Sequence, residues 1–233
     1  MLGKIIDWCI ESKLFYFPRK IIFRFLSKYH LIVYSYRDPY RAKAMDFTRK
    51  IKNENKLVMS FNEAYQIYNT CEQTKKIEGD IAEVGVYRGG SARIICEIKG
   101  NRPLHLFDTF MGLPEVEEID SSFQKGQYAE SYKNVKKYLE KYSNIHFYKG
   151  IFPLTSDPVK NKIFSFVNLD VDLYKSTLDC LNFFYPRMSK GGIIISHDYI
   201  YAAGVKKAVD EFFKDKPEPI ITPSSTQCLI VKV

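Results

Sequence analysis

Phe164-Ser-Phe-Val-Asn-Leu-Asp-Val-Asp172 and, further on, Gly191-Gly-Ile-Ile-Ile-Ser-His-Asp198 each read as an apolar strand that ends in acidic residues. Phe164–Leu169 is a mostly apolar run, and Ile193–Ser196 follows what reads as a Gly191-Gly192 turn. Short continuous apolar runs rich in Val, Ile and Phe suit strands buried on both faces of a parallel sheet. In open parallel sheets, ligands bind beyond the carboxyl ends of the strands. Neighbouring strands of this kind would place Asp170, Asp172, His197 and Asp198 around one crevice. Clustered carboxylates there suit a hard divalent cation or a proton acceptor. Aspartates at these positions can also simply cap the helices that follow. Two such strand ends in one chain favour the crevice.

Working outward, Gly79–Ser91 reads as a short strand (Ile81–Val84), a glycine turn and a helix from about Ser91 to Lys99. Glycines allow close backbone approach, so a ligand can sit against the turn and the helix N-terminus. The spacing G-x-x-x-G-G is not that of dinucleotide folds. Glu83, just before the turn, would repel a pyrophosphate and suit a cationic ligand. The next strand, Leu104–Phe107, ends in Asp108, where an acidic side chain can accept hydrogen bonds from ribose hydroxyls. The long polar excursion from Phe110 to about Gln127 reads as a lid. Tyr128–Tyr142 reads as a Lys-rich helix and Ile145–Tyr148 as a third strand. Helices are expected over about 176–185 and 204–213, and a closing antiparallel pair over 219–222 and 227–231. Upstream, Ser60-x-x-Glu63 has the spacing of a capping box. It opens a helix to about Thr74, with Ala64, Ile67, Tyr68 and Cys71 on the buried face.

The 233 residues suffice for one sizeable α/β domain. The net charge of +8 is unevenly spread. Residues 1–56 hold 13 Lys/Arg against 5 Asp/Glu, a balance of +8, and residues 57–233 hold 22 of each, a balance of zero. The chain is therefore divided into a basic N-terminal helical arm, 1–56, and a charge-balanced domain, 57–233. Within the arm, Ile21, Ile22, Phe25, Leu26 and Tyr29 fall on one helical face and Lys20, Arg24 and Lys28 on another. Such a helix can lie on an anionic membrane surface, or dock its apolar side on the domain or on a second subunit. A homo-oligomer is expected, with peripheral membrane contact through the arm as the other use of the helix. Asp38–Asn55 reads as a linker or a helix near the mouth of the site. The five cysteines are scattered, with no CxxC pair, which fits free thiols in a reducing compartment. No early apolar run reaches the length of a membrane span. A cytoplasmic protein is the expectation.

Taken in order, Ala82-Glu-Val-Gly-Val-Tyr-Arg-Gly-Gly-Ser91, Phe107-Asp-Thr-Phe-Met-Gly-Leu-Pro114, Tyr148-Lys-Gly-Ile-Phe152, Leu169-Asp-Val-Asp-Leu-Tyr-Lys-Ser-Thr177, Tyr185-Pro, Gly191-Gly192 and His197-Asp-Tyr199 form a recognisable set. Across about residues 57–215 the chain resembles the macrocin O-methyltransferase family of class I, S-adenosylmethionine-dependent sugar O-methyltransferases. The resemblance implies a Rossmann-like α/β fold. Its sheet would be mostly parallel with a C-terminal antiparallel strand pair, and helices would cover both faces. It implies that Glu83, Gly85, Gly89, Gly90 and Ser91 hold the methionine end of the cofactor and that Asp108 takes the ribose hydroxyls. It further implies a divalent metal, Mg or Mn, on Asp170, His197 and Asp198, with Asp172 as general base. The family usually carries Asp-Asp-Tyr where this chain has His197-Asp198-Tyr199. An imidazole suits manganese, iron or zinc better than magnesium. The acceptor implied is a sugar hydroxyl on a natural product, a nucleotide sugar or a surface glycan.

Other readings fit less of the chain. A dinucleotide- or nucleotide-sugar-binding α/β enzyme would use Asp108 but not Glu83 or the glycine spacing. A cofactor-binding module without chemistry would leave Asp170, Asp172 and Asp198 together unexplained. A nucleic-acid partner is not expected, because the charge-balanced domain lacks the basic stripe that phosphate binding wants.

Overall fold

The computed structural model describes Ile21, residues 38–223 and residues 225–233. The amphipathic helix read around Lys20–Tyr29 therefore lies outside the described residues, Ile21 apart. The chain falls into two compact units, Met1–Ala42 and Lys43–Val233. The second carries everything that follows. Residues 43–56, which the charge distribution groups with the arm, belong to it. They lie in helix α1 (Pro39–Asn53), which buries Ala44, Met45, Thr48 and Ile51, and in the turn after it.

Helix α2 (Phe61–Gln73) begins where the capping box predicts. The Ser60 hydroxyl accepts the Glu63 N–H, and Glu63 in turn accepts the Ser60 N–H at 2.7 Å. Ala64, Ile67, Tyr68 and Cys71 are its buried face. Strand β1 (Asp80–Val84) leads through the glycine turn to helix α3 (Gly90–Ile98). Strand β2 (Leu104–Asp108), helix α4 (Tyr132–Tyr138) and strand β3 (Ile145–Lys149) follow. Then come strand β4 (Phe164–Leu169), helix α5 (Tyr174–Phe184), strand β5 (Met188–Ser196), helix α6 (Ala203–Phe213) and strand β6 (Cys228–Val231). The six strands form one sheet in the order β3-β2-β1-β4-β5-β6. All pairs are parallel except β5 with β6, which is antiparallel. The order reverses between β1 and β4, and a crevice at the carboxyl ends is expected there.

Every residue of β4 is buried, as its apolar pattern requires of a central strand. Beside it lies a cluster of aromatic rings. Phe152 stacks on Phe184 at 5.2 Å, and Phe107 meets Tyr148 at 4.6 Å. Phe107, Phe164 and Phe184 are each fully buried. Burial of each such ring contributes about 1.5–3 kcal/mol, which makes this cluster a main support of the sheet.

Three local expectations change. Gly191 and Gly192 lie inside β5, not in a turn before it. Met188 already pairs with Phe164, and the ladder shifts register before Phe166 pairs with Ile193. Gly191 takes φ +79° there, a conformation that an irregular strand can use and that glycine allows. The Lys-rich helix spans only the seven residues of α4. Of residues 219–222, only Ile221 joins the sheet edge, through a bridge to Leu229. The excursion after β2 is pinned. Leu113 and Gln127 close its base at 2.8 Å, and the buried Asp120 accepts the Tyr174 N–H at the start of α5.

Candidate active site

The carboxyl ends of β1, β2, β4 and β5 line a cleft of about 380 Å³. Its first wall is the turn between β1 and α3. Gly85 sits at φ +86°, and a Cβ there would lie 1.8 Å from the Asp170 carbonyl oxygen, so only glycine lets the turn pass β4. Gly90 is equally confined, with the Lys56 carbonyl oxygen 2.2 Å from where its Cβ would be. Gly85, Gly90 and Ser91 line the cleft. Gly89 does not. It takes φ +81° and faces the side chains of Val135 and Tyr138 from α4 and its neighbourhood.

Glu83 is wholly buried beneath this turn. One carboxylate oxygen accepts the Asn168 side-chain amide at 2.8 Å. The other, Oε2, has no aligned hydrogen-bond partner among the described residues. Burial pushes the carboxyl up to about 8, against the opposing pull of the nearby Ser91 hydroxyl and Asn168. A buried oxygen left unpaired is costly, and a cationic ligand would satisfy it. Asp108, at the end of β2, is engaged by backbone N–H groups. Its Oδ2 accepts the N–H groups of Val86 and Tyr87 at 2.7 and 2.8 Å, and its Oδ1 that of Phe110 at 2.6 Å. The carboxylate therefore holds the turn in shape, with limited acceptor capacity left for a ligand hydroxyl.

The second wall is the acidic cluster. Asp170 and Asp172 follow β4, and His197 and Asp198 follow β5. The His197 N–H donates to the Leu169 carbonyl at 2.8 Å, which carries the strand pairing one residue further and sets the two ends side by side. One ligand atom from each of Asp170, His197 and Asp198 falls within 4.8 Å of the others. The Nδ1 of His197 is 3.2 Å from Asp198 Oδ1 and 3.4 Å from Asp170 Oδ1. Asp172 and Asp198 hold φ values of +61° and +57°, strained for residues with side chains. Strain of this kind gathers at functional sites.

Electrostatics follow from the crowding. Burial raises Asp170 to about 6, with His197 opposing and Asp198 adding to the rise. Burial, then Asp170 and Asp198, keep Asp172 well above the usual carboxylate range. Burial would lower His197, but Asp170, Asp198 and Glu63 overcome it and raise the ring to about 10. The cluster thus attracts positive charge. Both nitrogens of His197 are buried without an aligned hydrogen bond among the described residues. Two carboxylates and an imidazole at this spacing fit a divalent cation such as manganese or zinc.

Glu63 is the site residue that sequence reasoning missed. Its Oε2 lies 3.8 Å from His197 Nε2. Its Oε1 accepts the Thr226 hydroxyl at 2.5 Å. The Ser60-x-x-Glu63 spacing signals the cap of α2 and nothing more. The approach of Glu63 to His197 depends on how α2 docks on the sheet.

A family model described as macrocin-O-methyltransferase (TylF) matches residues 44–223. This chain belongs to the macrocin O-methyltransferase family. The match takes in both walls of the cleft and the helix α2 that carries Glu63. Within the family, the chain is 29% identical over 153 residues to demethyldecarbamoylnovobiocin O-methyltransferase from Streptomyces niveus, covering 58% of each. It is 32% identical over 140 residues to 8-demethyl-8-(2,3-dimethoxy-α-L-rhamnosyl)-tetracenomycin-C 4'-O-methyltransferase from Streptomyces olivaceus, covering 53% of this chain and 54% of that one. The match thus spans little more than half the length of these curated relatives. The solved structure of the O-methyltransferase NovP superposes with a TM-score of 0.65 at 27% identity, over 72% of this chain and 78% of that one. The six-stranded sheet is therefore a class I methyltransferase sheet. Among the described residues, no helix is long and apolar enough to cross a membrane.

Proposed function

We propose that this chain transfers the methyl group of S-adenosylmethionine to a sugar hydroxyl, with a divalent cation held by Asp170, His197 and Asp198. The observation that carries the reading is the meeting of the two walls. The glycine turn that covers the buried Glu83 carboxylate and the Asp-His-Asp cluster line one cleft at the switch in strand order. Family membership and the sugar named in the tetracenomycin relative support the acceptor class.

When bound, S-adenosylmethionine supplies a sulfonium methyl that an oxygen lone pair can take. Glu83 would accept the cofactor's ammonium through its unpaired oxygen, while Gly85, Gly90 and Ser91 leave room for the methionine end. Asp108 keeps the turn in register and offers its remaining lone pairs to the ribose. A divalent ion on Asp170, His197 and Asp198 would polarise the acceptor hydroxyl and lower its pKa. Asp172 is the proton acceptor. It projects from a left-handed residue beside the cluster and lines the cleft. The balance is closed: carbon–sulfur bond broken, carbon–oxygen bond formed, hydroxyl proton moved to Asp172.

Incubating the full chain with labelled S-adenosylmethionine and a panel of glycosides, nucleotide sugars and lipid-linked glycans tests the reading. Label should reach one acceptor class, and a chelator should abolish the transfer. Cofactor binding without transfer to any sugar would leave a binding module. Transfer that survives the chelator would remove the cation and leave Asp172 as the base.

A further inference from the structure

His197 is the one member of the cluster that brings two different ring nitrogens, and each faces a separate partner. Nδ1 looks into the cluster, 3.2 Å from Asp198 Oδ1 and 3.4 Å from Asp170 Oδ1. Nε2 is 3.8 Å from Glu63 Oε2, on the far edge of the ring. The two side chains are only 10% and 6% exposed, so bulk water is a poor substitute for either contact. Glu63 is no loose surface acid. Its Oε2 accepts the Ser60 N–H at 2.7 Å, and its Oε1 accepts the Thr226 hydroxyl at 2.5 Å. The start of α2 and the approach to β6 thus hold this carboxylate from two sides.

We infer that Glu63 is the positioning residue for His197: its carboxylate takes the Nε2–H and turns the Nδ1 lone pair towards Asp170 and Asp198. A ligating imidazole generally gives its other N–H to a carboxylate or carbonyl, which sets both the ring plane and the nitrogen left free for the ion. At 3.8 Å the two groups stand just outside hydrogen-bond range, and the inference is that they close it when the ring ligates an ion. The inference rests on the reading that Asp170, His197 and Asp198 hold a divalent cation. It gives Glu63 a task beyond capping α2, and that task exists only because residue 197 is a histidine. An aspartate there would have no second nitrogen to orient.

The test is Mn²⁺ binding to the full chain, without cofactor or acceptor, followed by titration calorimetry. Glu63→Ala should weaken binding by about 10–100-fold, the usual effect of losing such a partner. Glu63→Gln keeps a carbonyl acceptor and the capping pattern, and should recover most of that loss. The deciding comparison repeats Glu63→Ala in a His197→Asp background, where Mn²⁺ affinity should not change. A role confined to the fold of α2 would lower affinity by the same factor in both backgrounds. Equal loss in both, or no loss in the unaltered background, overturns the positioning role and leaves the cation site standing. If the unaltered chain binds no Mn²⁺, the cation site itself falls, and the inference with it. Should Glu63→Ala not fold, Thr226→Val carries the same comparison. It removes the hydroxyl that anchors Glu63 and spares the cap, so affinity should fall only where His197 is present.

Discussion

Glu83 lies in β1, wholly buried beneath the glycine turn. Its carboxyl is buried, pushed up to about 8, and has one oxygen unsatisfied among the described residues. The empty protein therefore keeps Glu83 neutral below about pH 8, whereas an ammonium group pairs with the ionised form. Cofactor binding should release a proton below that pH, and affinity should rise with pH until about 8 and then level. Titration calorimetry in buffers of different ionisation enthalpy reads this directly, and no proton release at pH 6.5 would remove Glu83 from the cofactor site. The sign for stability is the opposite. A carboxyl raised by folding stabilises the empty protein at low pH, and that contribution is lost as pH rises from the unfolded value near 4.5 towards 8. Asp172 is the second residue with a separable role. Asp172→Asn should lower the rate by about 10²–10⁴ because an amide cannot accept the hydroxyl proton. Cofactor affinity should not change, and a rate close to that of the unaltered chain would move the base elsewhere.

The element that decides the site is the β1–α3 turn together with the strand beside it. Gly85 passes so close to Asp170 that the two walls of the cleft share a backbone contact. Gly85→Ala must push β1 and β4 apart or distort the turn. We expect a loss of more than about 1 kcal/mol in stability, since alanine cannot relax into this conformation. Cofactor binding should go with it. Thermal melts and calorimetry on the same sample check both, and a variant that melts normally and binds normally would mean the turn adapts. Asp108 acts on the same element from below, through the N–H groups of Val86, Tyr87 and Phe110. Its substitution therefore disturbs the turn before it disturbs any ribose contact.

At the scale of the molecule, the unit Lys43–Val233 contains the whole sheet, both walls of the cleft and the family match. Removing residues 1–37 should leave a protein that folds and binds the cofactor, as measured by circular dichroism and calorimetry. Loss of cofactor binding on truncation would make the arm part of the domain. The aromatic cluster beside β4 is the other whole-molecule feature. Phe184 touches Phe107, Phe152, Phe164 and Phe183. Phe184→Ala should destabilise by about 3–5 kcal/mol in chemical denaturation, the cost of a large cavity at a site that cannot collapse.

The amino-acid order by itself determined the fold class, because apolar runs, glycine turns and a capping box are local patterns with local physical causes. Strand β4, helix α2 and the glycine turn at Gly85 could be read in that way, and so could the gathering of Asp170, Asp172, His197 and Asp198 at strand ends. Tertiary structure alone decided what depends on contacts between distant segments. The glycines at 191 and 192 lie within β5 because the neighbouring strand continues past them and tolerates a shift in register. Gly89 faces α4 and not the cleft because the turn rotates before the helix begins. Asp108 spends its carboxylate on backbone N–H groups because the turn folds over it. Glu63 reaches His197 because docking of α2 on the sheet brings a capping carboxylate to the Nε2 edge of the ring, and no spacing within α2 encodes the position of β5.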